Sequence, residues 1–446
     1  MNPTMTSGMT GSTSRLRQRA IGVMVVVTTL VLAPLGATAN AVSPPPTDSI
    51  TFGEAGSGPA PMRIVVPRSQ GMQRAAAITW SDLTAADNWA RPAISYVGST
   101  NDWMRDFAPN PDGSYPFKPD TIETRKYLAR SLVDAFAPNE PIDPTIIFPD
   151  LDPTQMFYRY ANVAVKMGWL RRGAGGTFLP DSPVPMATVH RSIVLALGLG
   201  DLATKLDALH TSNNFAFDTP ANFGTTEIGM LLDLRYNSPD ESRDVNPRTK
   251  MPRSQVAYSL YRAKTLPSWA VQNLNTQYGN IELPPLGPRR RNIVQWGIRY
   301  VGYPYVYAGE WGFTRAEPAA LGGQPVPGFD CSGLTWWTLR ASDTGYWNVA
   351  PPRPYEGWAL AERSSADMAR FGTLGYNQLI PGDMMFYSGA GNGVVDHVDV
   401  YIGNGYALDS SSSTGGVTIM YVGSGWYRDH FVHGRRIVPA PGNPGS

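Results

Sequence analysis

Residues 328–340 read GFDCSGLTWWTLR, a turn that leads into a segment with little to break a helix. The pattern predicts a helix with Cys331 at its N-terminus. There the unpaired backbone N–H groups and the helix dipole favour thiolate over thiol, and the same N–H groups can form part of an oxyanion hole. Cys331 is the single cysteine among 446 residues, so no internal disulfide can use it. We interpret Cys331 as a candidate nucleophile, with a small buried hydrophobe as the alternative.

A thiolate nucleophile needs a proton carrier, and three histidines lie in the same C-terminal region: His397, His430 and His433. His397 opens the alternating segment HVDVYI, which predicts a strand with its apolar residues on one face and the histidine on the other. His430 and His433 flank Phe431 near the end of the chain and are weaker candidates. We therefore predict His397 as the base.

Two carboxylates compete to orient this histidine. The GNG turn at 403–405 returns the chain as a β-hairpin toward Asp409. A two-residue loop would pair residue 400 with 409 and turn Asp409 away from His397, whereas a three-residue loop would pair 399 with 409 and place Asp409 on the histidine face. A carboxylate there could orient the imidazole and stabilise its cation. Asp399 shares that face and is the alternative.

Four segments occur in an order typical of the NlpC family of papain-like cell-wall peptidases, which this region resembles. They are GYPYVYAG at 302–309, FDCSGL at 329–334, LIPGDMMF at 379–386 and HVDVYIGNG at 397–405. The resemblance implies an α+β, papain-like fold over residues 291–439, in which the helix bearing the nucleophile packs on an antiparallel sheet.

The same resemblance implies a catalytic set with Cys331 as nucleophile, His397 as base and Asp409 as the third polar residue. It also implies three substrate-binding residues: Tyr305, Asp330 and Ser332. No cofactor and no metal is implied. The sequence departs from the family pattern at Asp399, where glycine is usual, and in a longer connection at 311–326 that could reshape the substrate groove.

The region before this domain contains an internal repeat. Two motifs recur at a spacing of 61 residues: FKPD at 117–120 with FLPD at 178–181, and RSLV at 130–133 with RSIV at 191–194. A weaker third copy aligns Pro252-Arg253 with Thr124-Arg125. Helix start signals and apolar faces predict a mainly α-helical module of three units that pack together, at about 80–140, 141–203 and 204–270.

These units resemble S-layer homology repeats, which have a leading aromatic residue, a G-x-F-x-P-D turn and an arginine at the start of the next helix. The resemblance implies that Arg125 and Arg253 bind a secondary cell-wall polysaccharide. The second unit has Met186 at this position. A spacer made of packing repeats is the alternative.

The N-terminus predicts export. Three arginines precede an apolar run at 21–33, and the ANA triplet at 39–41 fits a cleavage site, so a secretory signal peptide is predicted for residues 1–41. The apolar run is shorter than the roughly 20 residues of a membrane-spanning helix, so no transmembrane anchor is expected. An uncleaved anchor is the alternative.

Composition supports this division of the chain. Proline-rich segments predict linkers at 42–79 and 271–290, and a short tail is assigned to 440–446. The net charge is +1 and only 16% of residues are charged, which argues against a nucleic-acid partner. A glycan or peptide partner fits better.

We therefore predict a secreted peptidoglycan endopeptidase, located in the cell wall or at the cell surface, that acts on stem peptides. The family's usual bond, between D-glutamate and a diamino acid, is the expected target, and the repeats would hold the enzyme at the wall. Two alternatives remain open. One is a papain-like amidase or acyltransferase, and the other is a wall-bound structural protein with an inactive peptidase domain, which the unusual Asp399 suggests.

Overall fold

The structure, a computed structural model, describes residues 78–212, 223–235, 248–312, 324, 327–340 and 360–440. These residues all belong to one unit, Phe52–Ser446. The predicted signal peptide and the first linker up to residue 77 lie outside the described residues. None of the helices in the described part is long and apolar enough to cross a membrane.

The described part of the chain before residue 300 is mainly helical. Its α-helices are α1 Arg91–Ile94, α2 Arg125–Phe136, α3 Met156–Lys166, α4 Met186–Ala196, α5 Gly200–Ser212, α6 Phe223–Leu231, α7 Arg253–Thr265, α8 Ala270–Tyr278 and α9 Pro288–Ile298, and a π-helical turn, Ser95–Thr100, continues α1. The spacing of apolar residues explains how they pack. In α2, Leu128 and Leu132 are four residues apart and therefore lie on the same face, which is completely buried.

The segments that open α2, α4 and α7 meet in a closed ring of backbone hydrogen bonds. The N–H of Glu123 donates to the carbonyl of Met251 (2.9 Å), the N–H of Met251 to Val184 (3.0 Å), and the N–H of Val184 back to Glu123 (3.0 Å). One segment comes from each predicted unit. The ring therefore ties the three helix starts to a common centre.

The FKPD and FLPD turns have the same geometry. Lys118 and Leu179 both adopt a left-handed backbone, with φ of 61° and 59°. Asp82 accepts two backbone N–H groups at the first turn, at 2.9 and 2.7 Å, and Asp150 accepts the equivalent pair at the second, at 2.8 and 2.7 Å. A carboxylate that satisfies both N–H groups offsets the strain of the left-handed residue.

The C-terminal region combines helices with an antiparallel sheet, so the predicted α+β architecture is confirmed. Its elements are β1 Glu310–Trp311, β2 Gly328–Phe329, α10 Cys331–Leu339, α11 Ser365–Ala369, β3 Met384–Tyr387, β4 His397–Gly403, β5 Tyr406–Ser411, β6 Gly416–Tyr421, α12 Trp426–Asp429 and β7 Phe431–Arg435. Five of the strands form one sheet in the order β6-β5-β4-β3-β7, and helix α10 packs against β4 and β5.

The prediction of a linker at 271–290 is wrong for the first part of this stretch. Residues 270–278 form helix α8, and Tyr278 is buried against the sheet. Its hydroxyl donates to the carbonyl of Ile419 (2.9 Å) and accepts the N–H of Tyr421 (3.0 Å). This stretch packs on the five-stranded sheet because a large aromatic side chain with two polar partners anchors it there.

Candidate active site

The nucleophile candidate stands where the sequence predicted, at the first residue of α10. Asp330 is the N-cap, and its Oδ1 accepts the N–H of Gly333 (2.6 Å). Position 333 requires glycine because a Cβ there would lie only 1.9 Å from the carbonyl oxygen of Gly309. Cys331 is a free cysteine, and the residue is half-buried.

Asp330 and Ser332, which the resemblance assigns to substrate binding, also have a local structural role. The hydroxyl of Ser332 donates to Asp330 Oδ1 (3.0 Å), the oxygen that caps the helix. Burial raises the pKa of Asp330, while the hydrogen bonds from residues 333 and 332 oppose that shift. Both side chains therefore hold the start of the nucleophile helix.

A β-bulge sets the register of the β4–β5 hairpin. The turn is closed by the pair Gly403–Tyr406 and contains two residues, yet Val400 pairs with Leu408. The bulge next to the turn shifts the register by one residue, so position 399 faces position 409. The register is thus the one expected from a three-residue loop, although the loop itself has two residues.

This register brings both candidate carboxylates to His397. Its Nε2 lies 3.0 Å from Asp409 Oδ1 and 3.1 Å from Asp399 Oδ1. The histidine side chain is 16% exposed, whereas both aspartates are completely buried. The two oxygens flank the ring nitrogen, and neither is aligned for a straight hydrogen bond. The sequence left open which aspartate contacts the histidine, and the structure shows that both do.

The charges around His397 favour its protonated form. Burial lowers the pKa of His397, but Asp399, the Cys331 thiolate and Asp409 outweigh burial and raise this pKa well above its ordinary value. Burial and the neighbouring Asp409 raise the pKa of Asp399 to about 7. The negative charges around the imidazole therefore favour an imidazolium.

Two tyrosines that the sequence analysis missed surround the carboxylates. The hydroxyl of Tyr427 donates to Asp409 Oδ2 (3.2 Å), and the ring of Tyr387 lies 5.6 Å from the ring of His397. Burial first, and then the nearby carboxylates, raise the pKa of both phenols well above the usual value. They come from β3 and α12, so no local motif links them to His397.

Tyr305 lies beside the nucleophile. Burial raises its pKa well above the usual value, and the charges of Cys331 and Asp330 add to this shift. Its backbone N–H donates to the carbonyl of Gly415 (3.0 Å), which fixes the segment next to the sheet. The Tyr305 backbone is therefore held between the sheet and Phe329, which precedes the nucleophile by two residues.

Of the longer connection at 311–326, the structure describes residues 311, 312 and 324. The buried side chain of Gln324 accepts the N–H groups of Glu310 and Trp311 (2.8 and 3.2 Å) and donates to the carbonyl of Gly328 (3.0 Å). It therefore holds β1 and β2 together just before the nucleophile.

Among the described residues, one group of side chains is arranged so that it could hold a metal ion: His397, Asp399 and Asp409. Their donor atoms lie within 4.8 Å of one another. The sequence analysis missed this grouping because the spacing of the three residues is not a metal-binding motif. The same three side chains form an imidazole paired with two carboxylates, an arrangement that needs no metal ion to stabilise a protonated histidine.

The prediction that Arg253 binds a wall polymer is wrong. Its side chain is 1% exposed and lies between Asp106 (2.6 Å) and Glu123 (3.0 Å). Burial raises the pKa of Glu123 to about 7, and the arginine opposes that shift. Arg125 is partly buried and donates to the carbonyls of Phe178 (2.6 Å) and Arg171 (2.7 Å). Both arginines therefore join the helical units.

Replacing Arg253 with methionine should destabilise the protein by about 3–5 kcal/mol, because the buried Glu123 loses the arginine that pairs with it and Asp106 keeps only Arg130. Urea denaturation measures this effect. Adding Glu123→Gln should recover part of the loss, since one of the uncompensated charges is then removed. An Arg253→Met variant as stable as the wild type would contradict the buried ion pairs.

Residues 302–436 match the NlpC/P60 family model, so the C-terminal domain assignment is confirmed. Members of this family are cysteine peptidases that act on peptidoglycan, which confirms the enzyme class predicted for this segment. One relative is the gamma-D-glutamyl-L-lysine dipeptidyl-peptidase of Bacillus cereus, 25% identical over 48% of this chain and 57% of the relative. Another is the murein DD-endopeptidase MepH of Escherichia coli, 29% identical over 32% of this chain and 43% of MepH.

These matches are partial. This chain spans about half the length of the two relatives. A crystal structure of an NlpC/P60 family protein from Bacillus cereus is 25% identical, covers 36% of this chain and 42% of that chain, and has a TM-score of 0.24.

Proposed function

We propose that this protein is a secreted peptidoglycan hydrolase, a cysteine endopeptidase that cleaves amide bonds in stem peptides. One observation carries the proposal: Cys331 begins a helix packed on the strand that presents His397, and two buried carboxylates contact that histidine. The names of the relatives, which specify bonds in peptidoglycan peptides, support the substrate class.

The mechanism follows from these positions. His397 takes the thiol proton, and the Cys331 sulfur attacks the scissile carbonyl, with the backbone N–H of Cys331 helping to hold the oxyanion. The imidazolium returns its proton to the leaving amine, which leaves a thioester. Water, deprotonated by His397, then attacks the thioester and releases the acid product and the thiol.

The two carboxylates hold the charge on the histidine. Asp409 is the orienting residue in this proposal, and the hydroxyl of Tyr427 keeps its other oxygen in place. Asp399 contacts the same ring nitrogen, Nε2, so the proposal assigns proton exchange with the sulfur to Nδ1. A second carboxylate at this position stabilises the imidazolium rather than blocking the thiol, which argues against an inactive domain.

The effect of Asp399 is tested by Asp399→Asn. Loss of one negative charge should lower the pKa of His397, so the alkaline limb of the kcat/KM profile should move to lower pH. Activity at the optimum should survive because Asp409 remains. A pH profile with an unchanged alkaline limb would show that Asp399 does not support the imidazolium.

The same variant should change the pH dependence of stability. The pKa of Asp399 is about 7 in the folded protein, against an ordinary value of 3.8 in the unfolded chain. Between these two pH values the folded protein keeps a proton that the unfolded chain releases. Wild-type Asp399 therefore costs stability increasingly as the pH rises from 3.8 to about 7. The difference in melting temperature, Asp399→Asn minus wild type, should therefore increase as the pH rises across this range.

We propose the bond between D-glutamate and the diamino acid as the target, as in the name of the Bacillus cereus relative. Purified muropeptides of defined structure, digested and analysed by mass spectrometry, test this choice. The expected products are a disaccharide that retains L-Ala-D-Glu and a peptide that begins with the diamino acid. Cleavage of cross-linked dimers alone would assign a DD-bond, as in MepH, and no cleavage of any muropeptide would contradict the hydrolase proposal.

We further propose that the helical module is a three-unit, S-layer homology-like region that holds the enzyme at the wall. The closed ring of backbone hydrogen bonds and the two equivalent turns support three related units. Arg253 is unavailable to a polymer, which leaves Arg125 as the partly exposed candidate. Cosedimentation of the full chain with wall sacculi, before and after removal of secondary wall polysaccharide, tests attachment.

A further inference from the structure

The edge of the peptidase sheet is covered by side chains from the helical region. Strand β6 is the last strand of the sheet, and an uncovered edge strand exposes unpaired backbone groups. The carboxylate of Glu227, on α6, accepts the N–H of Ile419 (2.7 Å), and the hydroxyl of Tyr278, on α8, takes up the carbonyl of Ile419 and the N–H of Tyr421. Glu227 and Tyr278 both lie outside the family match at 302–436.

The same edge is extended by the segment at 302–306, which we call the Tyr305 segment. The N–H of Gly302 donates to the carbonyl of Val417 (2.9 Å), and the N–H of Tyr305 donates to Gly415 (3.0 Å). On its other side, the N–H of Val306 donates to the carbonyl of Phe329 (3.1 Å). Phe329 is two residues before the nucleophile, so the Tyr305 segment connects the sheet edge to Cys331.

Arg235, which follows α6 in the helical region, joins both sides of this pairing. Its side chain is 5% exposed, and its guanidinium donates to the carbonyls of Gly302 (2.5 Å) and Gly415 (3.2 Å). Hydrogen bonds from a cation are stronger than those between neutral groups, especially where water is excluded. The arginine therefore fixes the Tyr305 segment against the end of β6.

We propose that Arg235 is a positioning residue for the proposed peptidase reaction, and that hydrolysis therefore depends on the helical region of the same chain. The guanidinium acts through the Tyr305 segment, whose backbone sets Phe329 and hence the start of α10. Without it, the two glycine carbonyls lose their buried donor, and the segment shifts relative to the sheet that carries His397. This inference rests on the proposed function where it is tested by muropeptide hydrolysis, but not where it is tested by alkylation of Cys331.

The test compares Arg235→Met and Arg235→Lys with the wild type in the full chain. Arg235→Met should lower kcat/KM on muropeptides about 10- to 100-fold, mainly through kcat, because small misplacements of reacting groups cost this much. It should also slow alkylation of Cys331 by iodoacetamide, a reading that needs no substrate and is unambiguous because the chain has one cysteine. Arg235→Lys should recover part of both rates, since an ammonium can still reach one carbonyl.

Arg253→Met is the matched control. It removes another buried arginine from the same helical region. The guanidinium of Arg253 donates to Met104, Asp106, Phe117 and Glu123, none of which belongs to the Tyr305 segment. At a temperature where all variants are folded, the control should keep wild-type kcat/KM and alkylation, although its melting temperature falls.

Two results would overturn the proposal. One is wild-type kinetics and alkylation in Arg235→Met. The other is equal loss in both arginine variants in proportion to their unfolded fraction, which would make the role of Arg235 merely structural. If the wild type itself hydrolyses no muropeptide, the proposed function fails, and the alkylation rates still decide whether Arg235 positions the nucleophile.

Discussion

Replacing Cys331 with alanine is expected to lower muropeptide hydrolysis by at least about 10,000-fold, because no other group in the proposed mechanism can form the thioester. The side chain is small and half-buried at the start of α10, so the change leaves the helix cap at Asp330 intact. Mass spectrometry of the digested muropeptides measures the loss.

A melting curve of Cys331→Ala should match that of the wild type, which separates loss of chemistry from loss of fold. Cys331→Ser is the closer control, since it keeps a hydroxyl of similar size but lacks a readily formed anion. Equal hydrolysis by the wild type and Cys331→Ala would eliminate the cysteine-peptidase mechanism. It would favour the alternative of a wall-bound protein whose peptidase domain is inactive.

His397→Gln should lower kcat/KM by about 100- to 10,000-fold, the range for loss of a positioned general base. The imidazolium that stabilises the thiolate is lost at the same time. Alkylation of Cys331 near pH 6 should therefore slow by at least about tenfold, because the imidazole that takes the thiol proton is missing.

His433→Gln is the matched control for this second prediction. His433 lies on β7, and its ring contacts the carbonyl of Ala369 (2.9 Å) rather than the site around Cys331. Hydrolysis and alkylation should stay close to wild-type values in this variant. If His397→Gln alkylates at the wild-type rate across the pH range, the thiolate does not depend on His397 and another group activates the sulfur.

The local sequence predicted the parts of the site that depend on neighbouring residues. A turn followed by an unbroken helical segment placed Cys331 at a helix N-terminus, and strict alternation placed His397 on a strand. These predictions succeed because helix starts and strand faces are set over a few residues, by capping and by side-chain alternation. The order of the four motifs likewise indicated the α+β domain.

Other predictions failed where the environment of a side chain decided its role. The position of Arg253 in the predicted repeat suggested contact with a polymer, but packing within the helical region buries it between Asp106 and Glu123. The proline-rich stretch before α9 suggested a linker, but Tyr278 packs it against β6. Local composition does not indicate which distant segment will pack against a residue and bury it.

What the sequence by itself determined is therefore the chemistry available: one thiol at a helix start, one histidine on a strand, and two nearby aspartates. Only the tertiary structure decided how these groups meet. A single bulge in β4 gives the register that brings both carboxylates to His397. Tyr427, on another element, donates a hydrogen bond to Asp409, and Arg235 of the helical region donates one to the carbonyl of Gly302. The physical reason is that strand register and long-range contacts depend on the packing of the whole chain, whereas motifs report only the conformation of adjacent residues.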